Sequence, residues 1–184
     1  MTRQDFLIKW GVYALALLPV WFCEVYILNR IPVLGVIPML LPLAAVCVAV
    51  LEGATAGAGF GLFVGMLCDA VYFNADGAMT VVVCLIGVGA GALAQYVLRQ
   101  NLLGCLLCSL LALMAIDMVR ILTRLFLWFL LALVVAGSLG ADVSSVIAML
   151  SVAGREILWS MVFVFPVYAL FLWVFRRVPK KTVL

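Results

Sequence analysis

Long apolar stretches alternate with short polar breaks along this chain, and each break ends a predicted helix. The predicted helices cover residues 10–28, 36–51, 57–73, 79–98 and 157–174. Each is close to the roughly 20 apolar residues that an α-helix needs to cross the hydrocarbon core of a bilayer. No small-residue cleavage site of the A-x-A type follows the first stretch. We therefore expect it to remain as an anchored helix rather than to be removed as a signal peptide.

A further apolar stretch, residues 102–136, is longer than one upright span and contains charges. Asp117, Arg120 and Arg124 interrupt it, and as a helix it would be about 50 Å long against a core about 30 Å thick. Two alternatives stay open: one long helix that protrudes from the membrane, or a break near the charges. Residues 137–154 are predicted to form a loop, whose short apolar part, residues 143–152, lies at the interface or dips into the membrane.

Composition separates a membrane protein from a soluble one. Hydrophobic residues make up 69% of the 184 residues, charged residues only 10%, and the mean hydropathy is +1.37. Soluble domains carry about 25% charged residues, and this chain has too few charges to cover the surface of such a domain. The sequence predicts an all-α, polytopic membrane protein with six transmembrane helices in a single domain, residues 1–184.

Basic residues are distributed unevenly between the two sides of a six-helix topology. The side that holds the termini has the larger set: Arg3, Lys9, Arg99, Arg176, Arg177, Lys180 and Lys181. The opposite side holds Arg30 and Arg155, together with Asp76, Asp142 and Glu156. Because basic loops stay in the cytoplasm, we expect six spans with both termini cytoplasmic and a basic rim that faces anionic lipids. The net charge of +3 is too small to indicate nucleic-acid binding.

The residue types present give little support to catalysis. Histidine is absent, which excludes the commonest general base and a common metal ligand. The six cysteines lie in apolar stretches, and we interpret them, the Cys105–Cys108 CxxC included, as packing residues. An aspartyl protease would need Asp69 and Asp117 to meet in mid-membrane, and no phosphate-binding glycine loop is present. We predict no enzyme activity, no cofactor and no metal site.

The clearest motif is a row of glycines at four-residue spacing. On a helix, that spacing places the glycines on one face, over which another backbone can approach closely. Two uses are compatible with this pattern: packing between helices of this protein, or a surface for a partner's helix. The residues concerned are Gly53, Gly57, Gly61 and Gly65, with Gly87 and Gly91 in the next predicted helix.

Five ionisable residues fall within the predicted spans, where charges are costly and mark candidate functional sites. Asp117, Arg120 and Arg124 share one face of their helix. Glu24 and Asp69 lie toward the ends of two other helices. The sequence predicts an intrahelical Asp117–Arg120 pair, with Glu24 or Asp69 as the partner of Arg124. An anionic ligand, a lipid headgroup or a protein partner at this cluster are the alternatives.

The middle of the chain resembles the rod shape-determining protein MreD. The resemblance rests on an E-G at the end of one span, a glycine ladder, an L-x-D-like aspartate, a glycine turn and a second glycine-spaced helix. These are Glu52-Gly53, then Gly57, Gly61, Gly65 and Asp69, then Gly77, then Gly87 and Gly91. The final apolar helix, with Pro166 and a terminal Arg176-Arg177 pair, is also similar to that family.

The resemblance implies a non-enzymatic scaffold of the bacterial cell-elongation machinery in the cytoplasmic (inner) membrane, which supports lateral peptidoglycan synthesis. Its implied partners are an MreC-like single-span protein, a RodA-like glycosyltransferase, a penicillin-binding transpeptidase and the MreB filament. The resemblance also implies a bundle like that of the S-components of energy-coupling-factor transporters. A substrate-binding S-component for a vitamin is therefore the alternative function.

Overall fold

The computed structural model describes residues 3–28, 30, 36–71, 77–96, 102–134 and 143–177. These residues form helices and no β-strand, which confirms the predicted all-α class. A π-helical segment, Cys23–Leu28, extends the first helix. The helices are α1 (Arg3–Phe22), α2 (Leu40–Glu52), α3 (Ala54–Val71), α4 (Ala78–Tyr96), α5 (Leu102–Val134) and α6 (Val143–Arg177).

The short helix α2 occupies the centre of the bundle. Every residue from Leu40 to Leu51 is buried, because α1, α3, α4, α5 and α6 all contact this helix. A helix that is surrounded on all sides has no polar face, which explains why Glu52 is its one charged residue. Pro42 lies in the first turn, where the missing amide hydrogen has no intrahelical acceptor to lose.

The chain reverses direction from each helix to the next. Lys9 and Tyr13, early in α1, contact Glu52 at the end of α2, whereas Glu24, after α1, contacts Leu41 at the start of α2. We call the end of the bundle that holds Lys9 and Glu52 the near end, and the end that holds Glu24 the far end. Later in α6, the ring of Phe171 stacks on Tyr13 with a centroid distance of 6.3 Å. The chain therefore enters α1 and leaves α6 at the near end.

Five helical segments are long and apolar enough to cross a membrane: 8–28, 54–71, 78–96, 102–130 and 146–177. The protein is accordingly a multi-pass membrane protein. The remaining predicted span, residues 36–51, corresponds to α2, which is a helix of 13 residues and about 20 Å. This helix is shorter than the hydrocarbon core. It runs inside the bundle instead of facing lipid.

The two longest helices, α5 and α6, decide the structure of the second half of the chain. Helix α5 is continuous over 33 residues, so the segment does not break at Asp117 or Arg120. The predicted loop at 137–154 is wrong from Val143 onward, because α6 begins there and continues to Arg177. The apolar part of that segment, with few helix-breaking residues, simply lengthens the last helix. Residues 135–142 lie outside the described residues.

Helices α5 and α6 run antiparallel and extend past the rest of the bundle. Cys105 of α5 contacts Cys47 of α2, and Arg120 contacts Glu156 of α6 near the far end. Beyond this contact lie residues 121–134 of α5 and 143–155 of α6, which we call the α5–α6 extension. At 1.5 Å per residue each arm is about 20 Å long.

Candidate functional site

Two polar side chains cap the beginning of the central helix. Glu24 is buried, and its Oε2 accepts a hydrogen bond of 2.8 Å from the backbone N–H of Leu41. Ser160 of α6 is also buried, and its Oγ accepts one of 3.1 Å from the N–H of Met39. The first amides of a helix lack intrahelical acceptors, and water is absent from a membrane core. These two residues therefore supply acceptors that α2 cannot provide for itself.

Asp69 performs the same role for α4. Its carboxylate accepts hydrogen bonds from the N–H groups of Met79 (3.2 Å) and Thr80 (3.0 Å) and from the Thr80 hydroxyl. A carboxylate in this position also interacts favourably with the positive end of the helix dipole. Asp69 thus fastens the far end of α3 to the beginning of α4.

An ion pair joins α1 to the end of α2 at the near end. Lys9 donates a hydrogen bond of 2.5 Å to Oε2 of Glu52, and the Tyr13 hydroxyl donates one of 2.7 Å to Oε1. Both charged side chains are largely covered, with 20% and 12% of their surface exposed. The sequence motif indicates Glu52 only as the acidic residue of the E-G pair, and it does not predict a contact with Lys9 or Tyr13.

At the far end, Arg120 of α5 lies between two carboxylates. Its Nη1 is 3.3 Å from Oε1 of Glu156 and 3.9 Å from Oδ1 of Asp117. The predicted Asp117–Arg120 pair is therefore present, although the shorter contact is with α6. The predicted pairing of Arg124 with Glu24 or Asp69 is wrong, because those carboxylates cap α2 and α4.

The position of this cluster along the bundle follows from Ser160. Ser160 bonds to Met39, just before α2 begins, and Glu156 lies one turn earlier on α6. Glu156 is therefore about 6 Å further toward the far end than the start of α2. Leu28 lies about one turn beyond Glu24 in the π-helical segment that follows α1, so Leu28 and Glu156 lie at a similar level along the bundle. The cluster thus lies where the π-helical segment after α1 ends and the α5–α6 extension begins.

A cleft of about 390 Å³ opens between α5 and α6 beside this cluster. Its charged lining comes from both helices, and small or aliphatic side chains form the rest of the wall. Arg124 is exposed, and the described part of the chain provides no carboxylate within 4.0 Å of it. The lining residues are Asp117, Arg120, Ile121, Arg124, Ala148, Met149, Val152, Ala153 and Glu156.

The glycine rows lie in the contact between α3 and α4. A Cβ atom placed on Gly61 would lie 2.8 Å from the carbonyl oxygen of Val83, and one on Gly65 would lie 2.5 Å from the Cα of Thr80. One on Gly91 would lie 2.5 Å from the Cα of Ala54. No side chain fits at such distances, so these residues let the two backbones touch. Of the two uses compatible with the glycine spacing, these contacts correspond to packing between helices of this protein.

Two other glycines have different surroundings. Gly53 connects α2 to α3 with φ +97°, a backbone conformation that residues with a Cβ rarely adopt. Gly89 of α4 faces open space, because a Cβ atom placed on it would meet nothing within 4 Å. It borders a shallow apolar groove between α4 and α5, together with Ala90, Ala112 and Ala115.

The cysteines do not form a metal site in the described part of the chain. No group of three or more His, Cys, Asp or Glu side chains capable of holding a metal ion occurs there. The CxxC residues point to different neighbours. The sulfur of Cys105 lies 3.5 Å from that of Cys47, whereas the thiol of Cys108 faces the carbonyl oxygen of Ala90.

Sequence reasoning missed the residues that complete these contacts. Glu156 and Ser160 belong to an apolar stretch whose partners are far away in sequence, and only the fold brings them together. Among the predicted rim residues, Lys9 and Arg176 lie on helices at the near end. Arg99, Lys180 and Lys181 lie outside the described residues.

Comparison of the chain with protein-family models, with curated proteins and with solved structures finds no match.

Proposed function

We propose that this protein is a non-enzymatic membrane scaffold, of the kind that the resemblance to MreD implies, and that it binds an MreC-like single-span protein. The observation that carries the proposal is the apolar surface of the α5–α6 extension. Large side chains are exposed along it, among them Leu122, Phe126, Leu127, Phe129, Ile147 and Leu150.

The length of the other helices explains why this surface favours a protein partner. Helices α3 and α4 have 18 and 19 residues, or about 27–29 Å, which matches the hydrocarbon core of a bilayer. Helices α5 and α6, with 33 and 35 residues, are much longer than the core is thick, and in this proposal the extension is the part that projects beyond the lipid tails. An exposed apolar patch outside the membrane core is the usual mark of an interaction site.

The groove beside Gly89 supports the same role within the membrane. Gly89, Ala90, Ala112 and Ala115 line part of it, beside Ile86, Leu93 and Leu111, and small residues let a second transmembrane helix approach closely. The membrane helix of a single-span partner can lie in this groove while its extramembrane part contacts the extension. In this proposal the protein resides in the bacterial inner membrane with the near end, and thus both termini, in the cytoplasm. The RodA-like synthase, the transpeptidase and the MreB filament belong to the same assembly.

A co-purification experiment tests the scaffold proposal. The full-length chain is co-expressed with the MreC-like protein of the same organism, and the complex is captured from detergent-solubilised membranes. We expect Phe126→Ala combined with Phe129→Ala to reduce partner recovery severalfold, because both rings are exposed on the extension. Leu103→Ala combined with Leu107→Ala is the matched control, because those exposed side chains lie on the same helix but outside both the extension and the groove beside Gly89. Equal recovery with both double variants, or no recovery with the unmodified chain, would contradict the proposal.

The cleft between α5 and α6 favours a second candidate, a substrate-binding S-component. Charged groups from both helices converge on a space of about 390 Å³, which is large enough for a small molecule. Mass spectrometry of the protein purified without added ligand tests this function. A vitamin at near-stoichiometric amount would support it, and its absence together with partner capture would favour the scaffold.

A further inference from the structure

We propose that the cleft between α5 and α6 binds a phospholipid of the surrounding membrane, with the lipid phosphate on Arg124. This inference does not depend on the protein partner. It rests on the charges in the cleft, on its apolar wall and on its level in the bundle.

The two arginines of the cleft differ in what already surrounds them. Arg120 lies between Glu156 and Asp117, which compensate its charge. Arg124, one turn further along α5, is exposed and has no carboxylate within 4.0 Å among the described residues. A guanidinium group binds phosphate oxygens through paired, charge-assisted hydrogen bonds. Arg124 is therefore the group of the cleft that is available to an anion.

The wall of the cleft requires a ligand that also has apolar parts. Ile121, Met149 and Val152 line it beside the charged groups. A small inorganic anion would leave these side chains without contact. A phospholipid supplies both the phosphate and the hydrocarbon that such a wall accommodates.

The level of the cleft matches the headgroup region of one leaflet. Glu156 lies about one turn beyond the start of α2, near the end of the first helix, and Arg124 lies one turn beyond Arg120. The membrane-crossing helices α3 and α4 meet at the same far end of the bundle, where Asp69 of α3 accepts hydrogen bonds from the first turn of α4. Long arginine side chains at such positions extend toward lipid headgroups. A bound lipid at this point would hold α5 against α6 where the extension begins.

Native mass spectrometry of the delipidated full-length protein tests the proposal. Three probes are added separately: phosphatidylglycerol, diacylglycerol, which lacks the phosphate, and inorganic phosphate. We expect phosphatidylglycerol to bind, diacylglycerol to bind much more weakly, and inorganic phosphate not to displace the lipid at equal concentration. Arg124→Gln should weaken phosphatidylglycerol binding about fivefold, the effect of roughly one lipid-facing charge.

Arg155→Gln is the matched control. Arg155 is an exposed arginine of the same extension, does not line the cleft, and donates a hydrogen bond from its Nε to the carbonyl oxygen of Ser151. Circular dichroism and elution volume show that each variant is folded. Unchanged binding in Arg124→Gln, an equal loss in Arg155→Gln, equal binding of diacylglycerol, or displacement by inorganic phosphate would each overturn the proposal.

Discussion

Gly57 of α3 and Gly87 of α4 face each other so closely that a Cβ atom on Gly57 would lie 2.5 Å from the carbonyl oxygen of Gly87. The two backbones are in direct van der Waals contact at this point. In a membrane, helix association depends on close packing because lipid tails are as apolar as the helix side chains. The Gly57–Gly87 contact therefore holds the α3–α4 pair together.

Gly61→Leu should destabilise the protein strongly, because the new side chain meets the backbone of Val83 and Cys84. We expect a loss of at least about 1–3 kcal/mol, the usual cost of overpacking, and a lower melting temperature in detergent. Gly89→Leu is the control on the partner helix, since its side chain enters open space. If the two variants melt at the same temperature, these glycines do not form the close contact described above.

Asp69→Ala should loosen the beginning of α4. Removal of a helix N-cap costs about 0.5–2 kcal/mol, and here the N–H groups of Met79 and Thr80 both lose their acceptor. Hydrogen exchange measured by mass spectrometry should show faster exchange in the first turn of α4. Asp69→Asn keeps one acceptor oxygen and should show a smaller effect. Equal exchange in the Ala variant and the unmodified protein would contradict this capping role.

Glu52→Gln should weaken the connection between α1 and α2 at the near end. The variant leaves the ammonium group of Lys9 without its carboxylate partner, and hydrogen bonds to charged groups contribute about 1.5–3 kcal/mol. A double-mutant cycle with Lys9→Met isolates the interaction. We expect the loss of unfolding free energy in the double variant to be smaller than the sum of the losses in the two single variants. Strict additivity in unfolding experiments would show that the ion pair contributes nothing.

Cysteine cross-linking tests the contact between α2 and α5. In a variant that keeps only Cys47 and Cys105, a membrane-permeable oxidant should form an intramolecular disulfide, because the two sulfurs lie 3.5 Å apart. Peptide mass spectrometry identifies the linked pair. A variant that keeps Cys47 and Cys108 should remain reduced, because the Cys108 thiol faces the carbonyl oxygen of Ala90 on α4. Linkage of Cys47 to Cys108 instead would mean that α5 is rotated about its axis.

Local pattern was sufficient to predict most helices. Apolar runs of about 20 residues have few alternatives in a bilayer, since a helix satisfies its own backbone hydrogen bonds. The loop predicted at 137–154 was wrong where α6 begins, because a short apolar run flanked by polar residues carries no signal that distinguishes a loop from the first turns of a long helix. The true length of α5 also depended on tertiary structure, since Glu156 on α6 compensates Arg120 within that helix.

For the candidate sites too, some features follow from the sequence and others only from the tertiary structure. The sequence by itself determined the membrane class, the all-α fold and the helix faces that carry the glycines, because these follow from composition and from a period of 3.6 residues. Only the tertiary structure decided that Asp69 caps α4, that Glu24 caps α2, and that Arg120, rather than Arg124, pairs with a carboxylate on another helix. The physical reason is that a charge in a low-dielectric interior pairs with whichever group the fold places within about 4 Å, and that choice depends on how the helices pack.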